Sequence, residues 1–112
     1  MEQLVMQLVH RACSEQVVAS HALANGMQLL AYPLEAGALV GLGFERDLAH
    51  RIPPETLIRK RSSHLARFGA WLPTLFADGS CYVVRRISHF SLEPGASALS
   101  ADDLMAAQEL LS

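Results

Sequence analysis

The dipeptide Asp78-Gly79 constrains the fold of this chain more than any other feature. It stands between two apolar runs and supplies the positive φ angles of a tight hairpin turn. The run after it, Ser80-Cys81-Tyr82-Val83-Val84-Arg85-Arg86-Ile87-Ser88, is the β-branched and aromatic kind that favours a strand. The run before it, residues 71–77, contains Pro73, which has no N–H for a ladder, so an edge strand is expected there. Asn25-Gly26 is a second hairpin signal. Residues 27–33 after it read as a strand that Pro33 should end or hold at an edge. Glu35-Ala36-Gly37 is a turn, and residues 38–45 read as the next strand. Along that strand Leu39, Gly41 and Gly43 share one face, and Val40, Leu42 and Phe44 share the other. The glycine face is open to close approach by another backbone or a ring. Residues 16–23 fit either a short strand or a second helical stretch.

Helical periodicity occurs in three places. Leu4, Val5, Leu8, Val9 and Ala12 make the stripe of an amphipathic helix over 2–13, and Ser14 is a poor place to continue it. Pro53-Pro54 followed by Glu55 marks the start of a second helix, expected over 54–70. Its apolar stripe is Leu57, Ile58, Leu65 and Phe68, and it carries a small stripe, Ser62, Ala66, Gly69 and Ala70. Residues 89–98 read as loop. Ser100 with Asp103 is a capping-box pair that opens a last helix with Leu104, Ala107, Leu110 and Leu111 on its apolar face. The order is α-β-β-β-α-β-β-α. Strands joined by hairpins and separated by single helices predict an α+β fold, a twisted antiparallel sheet covered by helices, in a single domain over 1–112.

Several function classes lose support on the sequence. A net charge of −2 gives no general drive toward nucleic acid. No apolar run is long enough to span a membrane, and no basic leader with an apolar core and cleavage site opens the chain. A cytoplasmic protein is expected. Cys13 and Cys81 make neither a disulfide framework nor a metal signature and read as reduced, small hydrophobes. His10, His21, His50, His64 and His89 have no ligand partner at the spacing of helical metal sites, so no metal and no cofactor is expected. Cys81 alternates with Tyr82 in a strand, where packing explains it better than nucleophilic chemistry. Glu45, Asp47 and Glu55 are not set together for acid–base work. No catalytic residue is assigned, and a non-enzyme is expected. The basic face Arg59, Lys60, Arg61 and Arg67 reads as solvated, or as paired with Asp102, Asp103 and Glu109 within the chain or across a dimer.

The order of elements is similar to that of the class I chaperones of bacterial type III secretion. The resemblance covers nearly the whole chain. Its best local match is Ala77-Asp78-Gly79-Ser80-Cys81-Tyr82-Val83-Val84-Arg85-Arg86-Ile87, followed by the leucine-rich helix 100–111. It implies a protein-binding module that holds a client, whether effector, gatekeeper or apparatus subunit. In that family the client's binding segment wraps the dimer in an extended state. The alternative it implies is a regulator that binds a transcription activator or another chaperone-like subunit.

Composition agrees with a surface hidden by a partner. Apolar residues are 51 % of the chain and charged residues 18 %, below the usual ~25 %. A client groove is expected from Leu4, Val5, Leu8, Leu39, Leu42 and Phe44. A homo- or heterodimer interface is expected on the central helix and edge strand, from Ile58, Ser62, Leu65, Phe68, Trp71, Leu72, Leu75 and Phe76.

Overall fold

A computed structural model describes residues 2–88 and 99–112. The loop expected at 89–98 and His89 lie outside the described residues. The elements are α1 (Glu2–Glu15), β1 (Ala19–Ala22), β2 (Met27–Leu34), β3 (Gly37–Phe44), α2 (Pro54–Ser63), α3 (Leu65–Phe68), β4 (Leu72–Leu75), β5 (Cys81–Ser88) and α4 (Ala101–Leu110). Short 3₁₀ turns occupy Ala24–Gly26 and Arg46–Arg51. The five strands form one antiparallel sheet in the order β1-β2-β3-β5-β4. The expected α+β architecture is the one observed.

Both hairpin signals act as expected. Asn25 and Gly26 take φ of 65° and 78°, and the Leu23 N–H donates to Met27 O to close the β1–β2 turn. Gly79 takes φ of 93°, and the Phe76 N–H donates to Ser80 O beside it. Asp78 Oδ1 accepts from the backbone N–H and the hydroxyl of Ser80 at 2.9 and 2.6 Å, which holds the turn from inside.

Strand alternation divides the sheet into two faces. Leu29 and Ala31 of β2, Ala38, Val40, Leu42 and Phe44 of β3, and Cys81, Val83 and Ile87 of β5 point into one core. Helix residues complete that core: Val5, Leu8, Val9 and Ala12 from α1, Leu57 from α2, Phe68 from α3, and Leu104, Ala107 and Leu110 from α4. The register puts Leu30, Tyr32, Leu39, Gly41, Gly43, Tyr82, Val84 and Leu72 on the opposite face. That face carries no helix among the described residues.

Three boundaries differ from expectation, and one open reading is settled. Helix α1 runs past Ser14, whose hydroxyl donates to Arg11 O, and ends at Gln16 with φ 55°. The Val17 N–H donates to Ala12 O, closing a Schellman-type stop. Residues 16–23 resolve to the strand β1, paired with β2. Pro33 lies inside β2, opposite Ala38, but beyond the end of β1, so no neighbour on the other side needs its missing N–H. The helix expected over 54–70 breaks at His64, whose φ of −141° and ψ of 61° are not helical.

Gly43 is a tight point in the middle of the sheet. A Cβ there would lie 2.2 Å from Cys81 O and 2.8 Å from the Tyr82 ring. Gly43→Ala is therefore expected to destabilise by about 1–3 kcal/mol, as overpacking does. Urea unfolding monitored by circular dichroism checks this, and an unchanged midpoint would refute the close fit of Tyr82 on the glycine face.

Candidate functional site

The expected client groove closes into the core. Val5, Leu8, Leu42 and Phe44 are at most 6 % exposed, because they meet between α1 and the sheet. Leu4 packs half-buried against that core. Leu39 is half-buried on the other face, since it is an odd number of positions from Leu42 and Phe44 along β3. These six residues do not form one surface.

The expected interface divides in the same way. Phe68 and Trp71 are core residues, 5 % and 1 % exposed. The Trp71 indole N–H donates to Asp103 O at 3.0 Å, so the ring anchors α4 and cannot serve a partner. The remaining residues stay outside. Ile58, Leu65, Leu72 and Leu75 are all more than half exposed, Ser62 is exposed, and Phe76 is half-buried. Helix α2 packs beside β4, with Leu65 on α3, Leu72 on the face opposite the helices and Leu75 on the helix face of the edge strand. β4 bonds only to β5, which leaves its outer edge free among the described residues.

The basic cluster is spent within the chain. Arg67 forms a bidentate pair with Glu109, at 2.6 and 2.9 Å, and reaches Asp102 at 3.4 Å. Lys60 donates to the oxygens of Glu109 and Ser112, at the carbonyl-rich end of α4 where a cation is favoured. Arg61 donates to Gly69 O and Trp71 O at 2.8 and 2.9 Å, which ties down the chain after α3. Arg59 remains exposed. The pairing with the last helix is intramolecular.

Asp103 joins these contacts. Its carboxylate accepts from the Ser100 N–H, the Ser100 hydroxyl accepts from the Asp103 N–H, and Arg85 from β5 stands 3.2 Å away. The Ser100 backbone bond, more than the Arg85 charge, holds the Asp103 carboxyl below its ordinary range.

The sheet face without a described helix also carries apolar surface, although Tyr82 and Val84 on it are buried. A cleft of about 390 Å³ lies on it, bordered by Val18 and Leu30 on one side and by Phe76 and Tyr82 on the other. Tyr32 and Val18 are 49 % and 52 % exposed. The Phe76 and Tyr82 rings meet edge to face with centroids 5.5 Å apart. The Tyr82 ring can lie close to the sheet because β3 offers only Gly41 and Gly43 beneath it. Val18, Leu30, Tyr32 and Tyr82 were not singled out by sequence. The signal was present: the glycine face of β3 and the Glu35–Gly37 turn together set Leu30 opposite Gly41 and Tyr32 opposite Leu39.

Among the described residues, no three His, Cys, Asp or Glu side chains gather in a metal-binding arrangement. Cys81 is buried, and burial pushes its thiol up, away from the reactive thiolate. No described helix is long and apolar enough to cross a membrane. Comparison of the chain with models of known families, with curated proteins and with solved structures finds no match.

The carboxyls of Asp78, Asp103 and Glu109 are all held below their ordinary values: Asp78 by Ser80, Asp103 by the Ser100 backbone and Glu109 by Arg67. A lowered folded pKa stabilises fully above the unfolded value of about 4, and that contribution is lost as pH falls through the folded value. Stability is thus expected to be flat from pH 7 to 5 and to fall below pH 4. Asp103→Asn should be less stable at pH 7 and lose less on acidification. Chemical unfolding from pH 7 to pH 2 checks this, and identical acid limbs for the two proteins would contradict it.

Proposed function

We propose that this chain is a non-enzymatic, protein-binding module of the type III secretion chaperone kind, which works as a dimer in the bacterial cytoplasm and holds a client protein. The observation that carries this reading is that, among the described residues, helices cover the sheet on one face only. A two-layer α+β domain with an aromatic cleft on the outer face of its sheet, and exposed apolar side chains on α2, α3 and β4, has surface that water favours covering. The element order α-β-β-β-α-β-β-α, with α3 as a short continuation of α2, supports the family resemblance.

The two surfaces suit two different partners. Ile58, Leu65, Leu72 and Leu75 lie on a helix and an edge strand, and a second chaperone-like subunit, identical or related, would cover them. Pro73 deprives the β4 edge of a donor, so the contact rests on side chains more than on continued strand pairing. The open sheet face is extended and grooved, and it fits a client segment in an extended state. Burial of apolar client side chains supplies affinity, at about 25 cal/mol per Å² before ordering costs. The internal use of Lys60, Arg61 and Arg67 removes the basic helix as a reason to look for a nucleic-acid partner.

Sedimentation at micromolar concentration is expected to give twice the 12.2 kDa chain mass. Ile58→Asp with Leu65→Asp should give the monomer with its far-ultraviolet spectrum unchanged, since both side chains are more than half exposed. A wild-type monomer at 100 µM would count against the dimer. In the host, loss of the gene should abolish secretion of one client; loss of secretion-gene control with every effector still secreted would favour the regulatory role.

A further inference from the structure

The cleft on the open face has a chemistry more specific than apolarity. It gathers three aromatic rings, Tyr32, Phe76 and Tyr82, around the aliphatic side chains of Val18 and Leu30, with Asp78 at the end of the β4–β5 turn. Asp78 is the one charged side chain among the described lining residues. Its Oδ1 is held by Ser80, through the backbone N–H and the hydroxyl. That fixes the carboxylate in place and keeps it ionised, since hydrogen bonds to the charged form lower the pKa. Burial, and then the nearby charges of Glu45 and Asp78, push the Tyr82 phenol up, so a second carboxylate lies within electrostatic reach of the same ring. Arg46 packs its aliphatic chain against Gly79 outside the cleft lining, and its charge also acts on Asp78, so a partner cation shares that carboxylate with it.

We infer that this cleft selects an extended partner segment carrying an arginine or lysine between apolar residues, its cation set beside Phe76 and the exposed edge of Tyr82 and paired with Asp78, and its apolar residues lying along Leu30, Tyr32 and Val18. The inference rests on the reading of the open face as the client surface. Aromatic faces attract a cation through their quadrupoles, and Arg is the commoner partner. A fixed carboxylate beside the rings adds charge complementarity and register more than raw affinity. The same carboxylate opposes phosphate-bearing surfaces, so nucleic acids and anionic membranes are poor occupants of this cleft.

The test uses a blocked peptide, Ser-Val-Thr-Val-Xaa-Val-Thr-Val-Ser, with arginine, norleucine or glutamate at the variable position. Each form is titrated into isotope-labelled protein and followed by amide shifts. The arginine form is expected to bind about three- to tenfold more tightly than norleucine, the range that exposed cation–π contacts and exposed ion pairs supply. Glutamate should bind most weakly, and shifts should concentrate at Tyr32, Phe76 and Ala77. Asp78→Asn keeps an oxygen for Ser80 and an Asn-Gly hairpin, so it should fold. It should erase the arginine preference and leave norleucine affinity unchanged. Equal affinities in the wild type, a preference that survives Asp78→Asn, shifts centred elsewhere, or no binding at millimolar peptide would overturn the inference. A dimer that holds a client without arginine preference leaves the functional reading standing and removes this one. A monomer that still prefers arginine does the reverse.

Discussion

Alternation along β3 governs the molecule. Its even positions, Ala38, Val40, Leu42 and Phe44, carry bulk toward the helices, and its odd positions, Leu39, Gly41 and Gly43, carry little. A strand has a period of two, so this one segment decides which side of the sheet becomes core. The neighbours obey the same parity: Leu29 and Ala31 on β2, Cys81 and Val83 on β5. A one-residue slip would place glycines in the core and Phe44 in water. The short turn at Glu35–Gly37 fixes the β2–β3 register against that slip. The same parity produces the open face, because small residues at 41 and 43 let Tyr82 settle low and leave a trough between β2 and β5.

The helix layer is closed by polar contacts as well as by leucines. Asp103 caps α4, pairs with Arg85 of the sheet and, through its carbonyl, receives the Trp71 indole. Arg67 and Lys60 hold the other end of α4. The exposed pairs contribute little energy each. Their geometry still matters, since they set the angle at which Leu104, Ala107 and Leu110 enter the core. That layer spends Phe68, Trp71 and most of the basic cluster internally, and it leaves the α2–β4 edge and the opposite face uncovered by any described helix.

Much of the fold was legible because it rests on local rules. Asn25-Gly26 and Asp78-Gly79 need positive φ, Ser100 with Asp103 completes a capping box, and Pro54 opens a helix; each signal lies within a few residues. The two faces of β3 were legible by alternation. The ambiguity at 16–23 was resolved by pairing with β2, a long-range contact that no local window contains. The break at His64 has no proline or glycine to announce it. The site was half legible. Ile58, Leu65, Leu72 and Leu75 are exposed, as an interface requires, but Phe68 and Trp71 look the same in sequence and are core. Which apolar residue faces a partner depends on where α4 docks, and apolar periodicity does not say. The groove expected from Leu4, Val5, Leu8, Leu42 and Phe44 failed for one reason: α1 packs on the very face of the sheet that it was expected to flank.

The central claim is that binding capacity lies on the open sheet face and the α2–β4 edge, with the helix layer as scaffold. Hydroxyl-radical footprinting of the protein, free and in complex with a client co-purified from its host, tests it most directly. The account predicts loss of labelling at Tyr32, Phe76 and Val18 on complex formation. Labelling of Met105, exposed on α4, should stay unchanged. Protection of Met105 with Tyr32 still fully labelled would place the partner on the helix layer and contradict the account.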